Sequence, residues 1–439
     1  MRNFTKFALP GVLTIAFLMR LVGLNQSLWL DEATSALVAK MSLSDMFTKF
    51  LPADFHPPFY YLVLKFWVSL FGSSEISLRI PSVIFGLGIV WLVFLITRDL
   101  FDKKVAEFAA LLSATSGLLI YYSQEARMYS MAAFLVSLSI YLFISRKWLW
   151  FSLVLLLIGM TDYVSLLILP VFWLATRKNR KEIFISHIPL VIIFGFWAPF
   201  FIKQLRSGVS LAGSAWWQLL GPATFKNFFL IPVKFIWGRI SFDNKLVYEV
   251  IVLVASLLFS YLLYLARRSP KILWMWFVTP IVLGVLLSFK IPTLSYFRFL
   301  FCLPALYILV SSGVFKLNKL RNLLISLMLT INILSSAYYL FEPRFHREDW
   351  RAATIAIGNE KIVLPANSQK EALIYYGKSG QIISVNQIGK EDNEVWLSRY
   401  VWEIFDPMDS VRKKIEILGY NKASEYDFNG VVFWKYIKK

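Results

Sequence analysis

The chain has 439 residues, 58% of them hydrophobic, with a mean hydropathy of +0.60. A soluble domain is about 45–50% apolar, so only a minority of this chain can sit in water. The net charge of +19 would suit a nucleic-acid binder, but the basic residues fall as short clusters between apolar runs, and no nucleic-acid motif accompanies them. Nucleic acid is therefore excluded as a partner. The one cysteine, Cys302, lies in an apolar run, which leaves no internal disulfide and no cysteine-based metal site.

Apolar runs long enough to cross a bilayer take about 17–25 residues. Eleven spans are predicted, at 8–24, 79–97, 105–122, 128–145, 148–160, 163–175, 183–201, 246–265, 271–289, 296–313 and 322–341. The fifth and sixth are short and read equally well as one hairpin of tilted, partly embedded helices. The first run has the basic flanks of a signal peptide but no small-residue cleavage site, and is read as a retained first helix.

Alternate loops carry opposite charge. Arg98/Lys103/Lys104, Arg146/Lys147, Arg177/Lys178/Arg180/Lys181, Arg267/Arg268/Lys271 and Lys316/Lys319/Arg321 sit in short basic loops, which stay cytoplasmic. The N-terminus, with Arg2 and Lys6, falls on that side. Asp31/Glu32, Glu125 and Asp162 fall on the other, and the odd number of spans puts the C-terminal tail outside too. The predicted location is the cell membrane, with a multi-pass chain and the bilayer as a partner.

The outward loop 202–245 departs from this pattern, with Lys203, Arg206, Lys226, Lys234, Arg239 and Lys245 against Asp243 alone. Either it is a long loop that escapes the charge rule, or it holds an anionic substrate such as a lipid phosphate. In the first outer loop, 25–78, the segments Asp31–Phe50 and Pro57–Gly72 read as helices lying on the membrane, with Ser27 placed to cap the first. The span domain is predicted to cover 1–341. Residues 342–439 hold acids and bases in near balance and read as a small α/β domain, with strands at Lys361–Pro365, Gln381–Val385, Glu394–Tyr400 and Val431–Ile437 and a helix at Asp409–Leu418.

Three places can carry chemistry. Asp31–Glu32 follows the first span. The pair is either a solvated helix start, where acids are favoured, or a base that takes a proton from an acceptor hydroxyl. His56, before Pro57–Pro58, is either structural, or orients that acid, or binds a metal. The turn Tyr121–Tyr129 holds Gln124, Glu125, Arg127 and Tyr129. It is either the wet tip of a hairpin or a ligand site. An arginine at membrane depth needs a partner, which for Arg127 is Glu125 or a phosphate held in a bidentate fork. Arg298 invites the same argument.

The order W-L-D-E-A, H-P-P-F-Y-Y-L, L-R-I-P-S, Y-Y-S-Q-E-A-R-M-Y, Y-F-R-F-L-F-C-L-P-A and R-E-D-W-R-A-A, over residues 8–352, resembles the bacterial membrane glycosyltransferases of the GT-C superfamily. The relatives are the dolichyl-phosphate-mannose protein mannosyltransferase-like proteins and, more distantly, the lipid A aminoarabinose transferases. The resemblance implies a helical membrane fold with a first-loop cap, a polyprenyl-phosphate sugar donor, and a lipid, glycan or protein acceptor. It implies Asp31 as catalytic base with Glu32 beside it, and Arg127 and Arg298 as donor-phosphate ligands, to which the loop residues Lys203 and Arg206 are added as candidates. His56, Gln124, Glu125 and Tyr129 are expected at the substrate under the cap. A divalent metal is an open expectation, with Asp31, His56 and Glu125 as candidate ligands. Thr161-Asp162-Tyr163 departs from the T-H-Y of many relatives. A flippase of polyprenyl-linked sugars, or a polysaccharide ligase, is the alternative reading. The acidic pair in the cap and the outer domain favour the enzyme, since transport requires neither.

Overall fold

A computed structural model describes residues 9–210, 220–366, 369–389 and 391–439. Arg2 and Lys6, and residues 211–219 of the basic loop, lie outside the described residues. Each of the eleven predicted spans falls on a helix. Among the described residues, however, length and apolarity support six crossings: Glu75–Leu100, Arg180–Gly208, Lys245–Arg268, Lys271–Ser288, Tyr296–Val314 and Arg321–Phe341. A seventh is the pair α5 (Lys103–Ala114) and α6 (Gly117–Ser123), bent by 58°. Four more are short: α1 (Leu9–Leu21), α7 (Tyr129–Ile144), α8 (Trp148–Gly159) and Val164–Ala175. The helix Lys245–Arg268 is only 17% buried in its most apolar window, so its Val, Leu and Tyr side chains are left for lipid.

The bend in the α5–α6 pair decides where the polar residues go. A helix end in lipid leaves carbonyls without partners, and each costs several kcal/mol on the order of the transfer penalty. Here the carbonyls are answered by side chains. Arg20 of α1 donates to Ala114 O at 3.0 Å and Ser113 O at 3.5 Å; Asn332 donates to Leu112 O at 3.1 Å and Ser336 to Thr115 O at 2.7 Å. Ser116 then caps α6 through Leu119 N at 3.4 Å. The break lets the turn 124–127 fold inward, with Gln124, Glu125, Ala126 and Arg127 all buried.

The first loop forms the expected cap, with α2 (Leu30–Lys40) and α3 (Phe59–Phe71) on either side of a single turn of π-helix at Met46–Phe50. Helix α4 (Glu75–Leu100) rises from it, capped by Ser74. Ser27 does not cap α2, whose N-cap is Trp29 without a side-chain bond. Instead Ser27 bonds the Tyr376 hydroxyl at 3.2 Å and accepts from Arg351 N at 3.1 Å.

Those bonds are part of the seam between the cap and the tail. The tail opens with α9 (Trp350–Ile357) and builds a five-stranded sheet of order β2-β1-β3-β5-β4. Strand β1 (Lys361–Val363) is parallel to β2 (Ile382–Ile383) and β3 (Glu394–Ser398). β5 (Val431–Lys438) runs antiparallel to β3 and to the edge strand β4 (Tyr420–Phe428). The sequence reading missed β4, because six of its nine residues are exposed and no apolar alternation marks it. α10 (Glu371–Tyr375) packs on α2. Next to it the Tyr376 hydroxyl accepts from Leu28 N at 2.8 Å, and Tyr375 donates to Ser73 O at 2.8 Å.

Candidate active site

Consecutive residues of an α-helix point about 100° apart, and at the start of α2 this sends two neighbouring carboxylates to different surroundings. The Asp31 side chain is 41% exposed, whereas Glu32 is fully buried. Glu32 accepts from Arg79 Nε at 2.8 Å and Arg79 Nη2 at 2.6 Å, and from Ala126 N at 2.8 Å. Arg79 donates its remaining N–H groups to Leu24 O, Gln26 O and Ser27 O at 2.6–2.9 Å. All five of its donors are thus used. Burial alone would raise the Glu32 carboxyl, but Arg347 and Arg79 hold it below the usual carboxylate range.

Arg347 links this network to the turn. Its Nε lies 3.6 Å from Glu32 Oε2, and its Nη1 lies 3.8 Å from Glu125 Oε2. It also donates to Gln124 O at 3.0 Å. Glu125 is buried with Oε2 lacking a hydrogen bond. Burial, only partly offset by Arg347, pushes its carboxyl up to about 7.

Asp31 opens onto a cavity of about 460 Å³. Trp29 and Asp31 come from the cap, Tyr121, Tyr122, Glu125 and Tyr129 from the turn, Tyr296 and Phe297 from the 3-10 stretch that opens the tenth predicted span. Arg239 and the segment Phe345–Glu348 complete it. Its cationic wall is built on one ring: the guanidinium carbons of Arg239 and Arg347 lie 4.4 and 4.6 Å from the Tyr121 centroid, and both arginines also donate to its hydroxyl. Two cations on one ring cost free energy by Coulomb repulsion, which the Glu125 carboxylate near both offsets only in part. An anion in the cavity relieves that cost. The Trp29 indole N–H on the same cavity has no hydrogen-bond partner among the described residues.

Residues 55–202, about a third of the chain, match the sequence family "Dolichyl-phosphate-mannose-protein mannosyltransferase". No curated protein sequence matches the chain. Among solved structures the chain is similar to ArnT from Cupriavidus metallidurans in the apo state, with a TM-score of 0.57 at 13% identity, covering 97% of this chain and 96% of that one. The same protein bound to undecaprenyl phosphate matches with a TM-score of 0.56, again at 13% identity and with coverage of 97% and 96%. The oligosaccharyltransferase of Archaeoglobus fulgidus, solved with Zn and sulfate, matches with a TM-score of 0.52 at 13% identity, covering 96% of this chain and 72% of that one. This chain has the GT-C fold.

Within the GT-C fold the expected site residues separate into two groups. Asp31, Glu125 and Tyr129 line the cavity. Arg127 lies beside it, but its side chain pairs with Asp31 at 3.5 Å and not with Glu125, while its Nε has no hydrogen-bond partner among the described residues. Gln124 is consumed by the fold: it donates to Arg20 O and Val22 O at 3.1 and 2.7 Å and accepts from Tyr339 at 3.0 Å. His56 turns to Asp54 at 3.4 Å rather than to Asp31, and Asp54 also accepts from Tyr61 at 2.8 Å. Arg298 is not among the cavity-lining residues; it donates to Pro292 O at 2.7 Å. Lys203 and Arg206 sit on exposed positions of the helix Arg180–Ser210, also off the cavity lining.

The metal candidates do not converge. Asp31 and Glu125 share the cavity while His56 faces Asp54, and among the described residues no three His, Cys, Asp or Glu side chains gather closely enough to hold an ion. The sequence reading missed Arg239, Arg347 and Arg79 as site residues, although each had a signal. Arg239 belongs to the basic loop for which an anionic substrate was one of two readings, and the other two stand inside the quoted blocks L-R-I-P-S and R-E-D-W-R-A-A.

Proposed function

We propose that the chain is a membrane glycosyltransferase that moves a sugar from a polyprenyl-phosphate donor to a lipid, glycan or protein acceptor on the outer face of the membrane. The observation that carries the reading is the cavity itself: a half-exposed carboxylate, Asp31, faces a wall of two arginines braced on Tyr121. The fold shared with ArnT, which was solved with undecaprenyl phosphate, makes a lipid phosphate the fitting anion.

The donor phosphate lies against Arg239 and Arg347, with Trp29 Nε1 able to donate to it. Arg127, held to Asp31 at 3.5 Å, keeps that carboxylate aimed at the acceptor. Asp31 takes the acceptor proton as its oxygen or nitrogen bonds to the anomeric carbon. The bond from that carbon to the phosphate oxygen breaks on the far side, and its electron pair leaves with the lipid phosphate. One displacement inverts the centre without a covalent enzyme intermediate. Fixed guanidinium groups stabilise the departing charge because they need no reorganisation as it forms. Glu32 takes no part in the bond changes; it fixes α2 so that Asp31 faces the cavity.

The test is turnover by the purified chain, reconstituted with native membranes as the acceptor source and offered a panel of undecaprenyl-phosphate hexoses. Release of undecaprenyl phosphate from at least one donor supports the reading. Inertness toward all of them, with no binding of undecaprenyl phosphate itself, contradicts it.

A further inference from the structure

The tail reaches the cavity through Phe345–Glu348, and two of these consecutive residues part company there. Arg347 turns to Tyr121, Gln124 and Glu125. Glu348 turns the other way. Its Oε1 accepts from the Tyr400 hydroxyl at 2.8 Å and its Oε2 from Trp350 Nε1 at 3.0 Å. Both partners are themselves fixed. Trp350 is fully buried and meets the Tyr400 ring edge to face at 5.2 Å, and Gln369 bonds the Tyr400 carbonyl. The tail thus holds one carboxylate in a single orientation on the cavity wall.

A carboxylate accepts about four hydrogen bonds, and two of the Glu348 sites are used. The rest face a cavity that also holds Asp31. A phosphate is repelled by such a group and belongs at the Arg239–Arg347 wall. What a rigid carboxylate accepts well is a hydroxyl, and a sugar supplies several.

We infer that Glu348 is a sugar-binding residue contributed by the C-terminal domain, accepting hydrogen bonds from hydroxyl groups of the transferred sugar. The inference rests on the proposed function and deepens it: the tail is part of the substrate site, with Tyr400 and Trp350 as positioning residues behind it. The sugar then lies between the arginine wall and Asp31, with the carrier phosphate on one side and the acceptor on the other.

The experiment compares two ligands on the purified full chain: undecaprenyl phosphate, which has no sugar, and undecaprenyl-phosphate hexoses. Wild type is expected to bind at least one sugar-bearing form more tightly than the bare lipid phosphate. Glu348→Gln should weaken that form roughly tenfold, as befits a hydrogen bond to a charged group, and leave the bare lipid within about twofold. Tyr400→Phe, which keeps the carboxylate but frees one oxygen, should show a smaller loss of the same kind with the melting temperature held. Equal losses for both ligands, or a lowered melting temperature with ligand preference intact in both variants, would overturn the inference. So would a wild type that does not distinguish the two ligands. If wild type binds neither ligand, the proposed function fails and takes this inference with it.

Discussion

Glu32 and Arg79 share two hydrogen bonds of 2.8 and 2.6 Å with neither side chain exposed, one residue away from an Asp31 that is 41% exposed. The adjacent acids thus have different surroundings, and substitutions should separate them. Removing one partner of a buried pair strands the other, at a cost of about 3–5 kcal/mol. Arg79→Met is therefore expected to lower the detergent melting temperature sharply, while Asp31→Asn leaves it near wild type. Equal melting of both variants would place Asp31 in the structural network as well.

Tyr121 is expected to act through its hydroxyl. Tyr121→Phe keeps the ring under Arg239 and Arg347 but removes the oxygen to which both donate. One hydrogen bond contributes about 0.5–1.5 kcal/mol, so affinity for undecaprenyl phosphate should fall by roughly three- to tenfold. An unchanged affinity by titration in detergent would remove this wall from the phosphate site.

Glu125 gives the fold a pH dependence of definite sign. Burial pushes its carboxyl up to about 7 from the ordinary 4.5, against the opposing pull of Arg347, Arg239 and Arg127 and with the push of Glu32. The folded chain holds this proton more tightly than the unfolded one. The associated stability is fully present below about pH 4.5 and is lost as pH rises through about 7. Glu32, held low, contributes in the opposite sense and at more acid pH, since that stability is lost as pH falls. Melting temperatures between pH 5 and 8 should therefore decline in wild type and flatten in Glu125→Gln. A decline of equal slope in the variant would assign the dependence elsewhere.

The orientation has its own readout. With Cys302 changed to Ser to clear the background, a cysteine at the exposed Ser379 should react with a membrane-impermeant maleimide in intact cells, and one at the exposed Lys178 should not. The reverse pattern would put the cavity on the cytoplasmic face.

Much of the fold was legible because lipid permits so little: long apolar runs become helices, and each predicted span lies on one. The count was not legible, because α8 and Val164–Ala175 are apolar yet short, and periodicity does not measure depth. The edge strand β4 lacked alternation, but its turn did not lack a signal. Asn429–Gly430, both at positive φ, joins Phe428 to Val431 in a two-residue hairpin, a pairing that Asn-Gly favours. At the candidate site, the blocks around Asp31, Glu125 and Tyr129 come together on one cavity. Which acid faces the cavity was hidden, since only the helix phase of α2 separates Asp31 from Glu32. The arginine wall was hidden for another reason: Tyr121, Arg239 and Arg347 are 108 or more residues apart along the chain in each arginine's case, and only the fold brings them onto one ring.

The most direct test of the central claim is undecaprenyl phosphate release by Asp31→Asn at saturating donor, in the same reconstituted membranes that support wild-type turnover. The amide keeps the size of the side chain and cannot take a proton, so turnover should fall by roughly 10²–10⁴-fold while undecaprenyl phosphate still binds. Near wild-type turnover by this variant would contradict Asp31 as the base and the mechanism built on it.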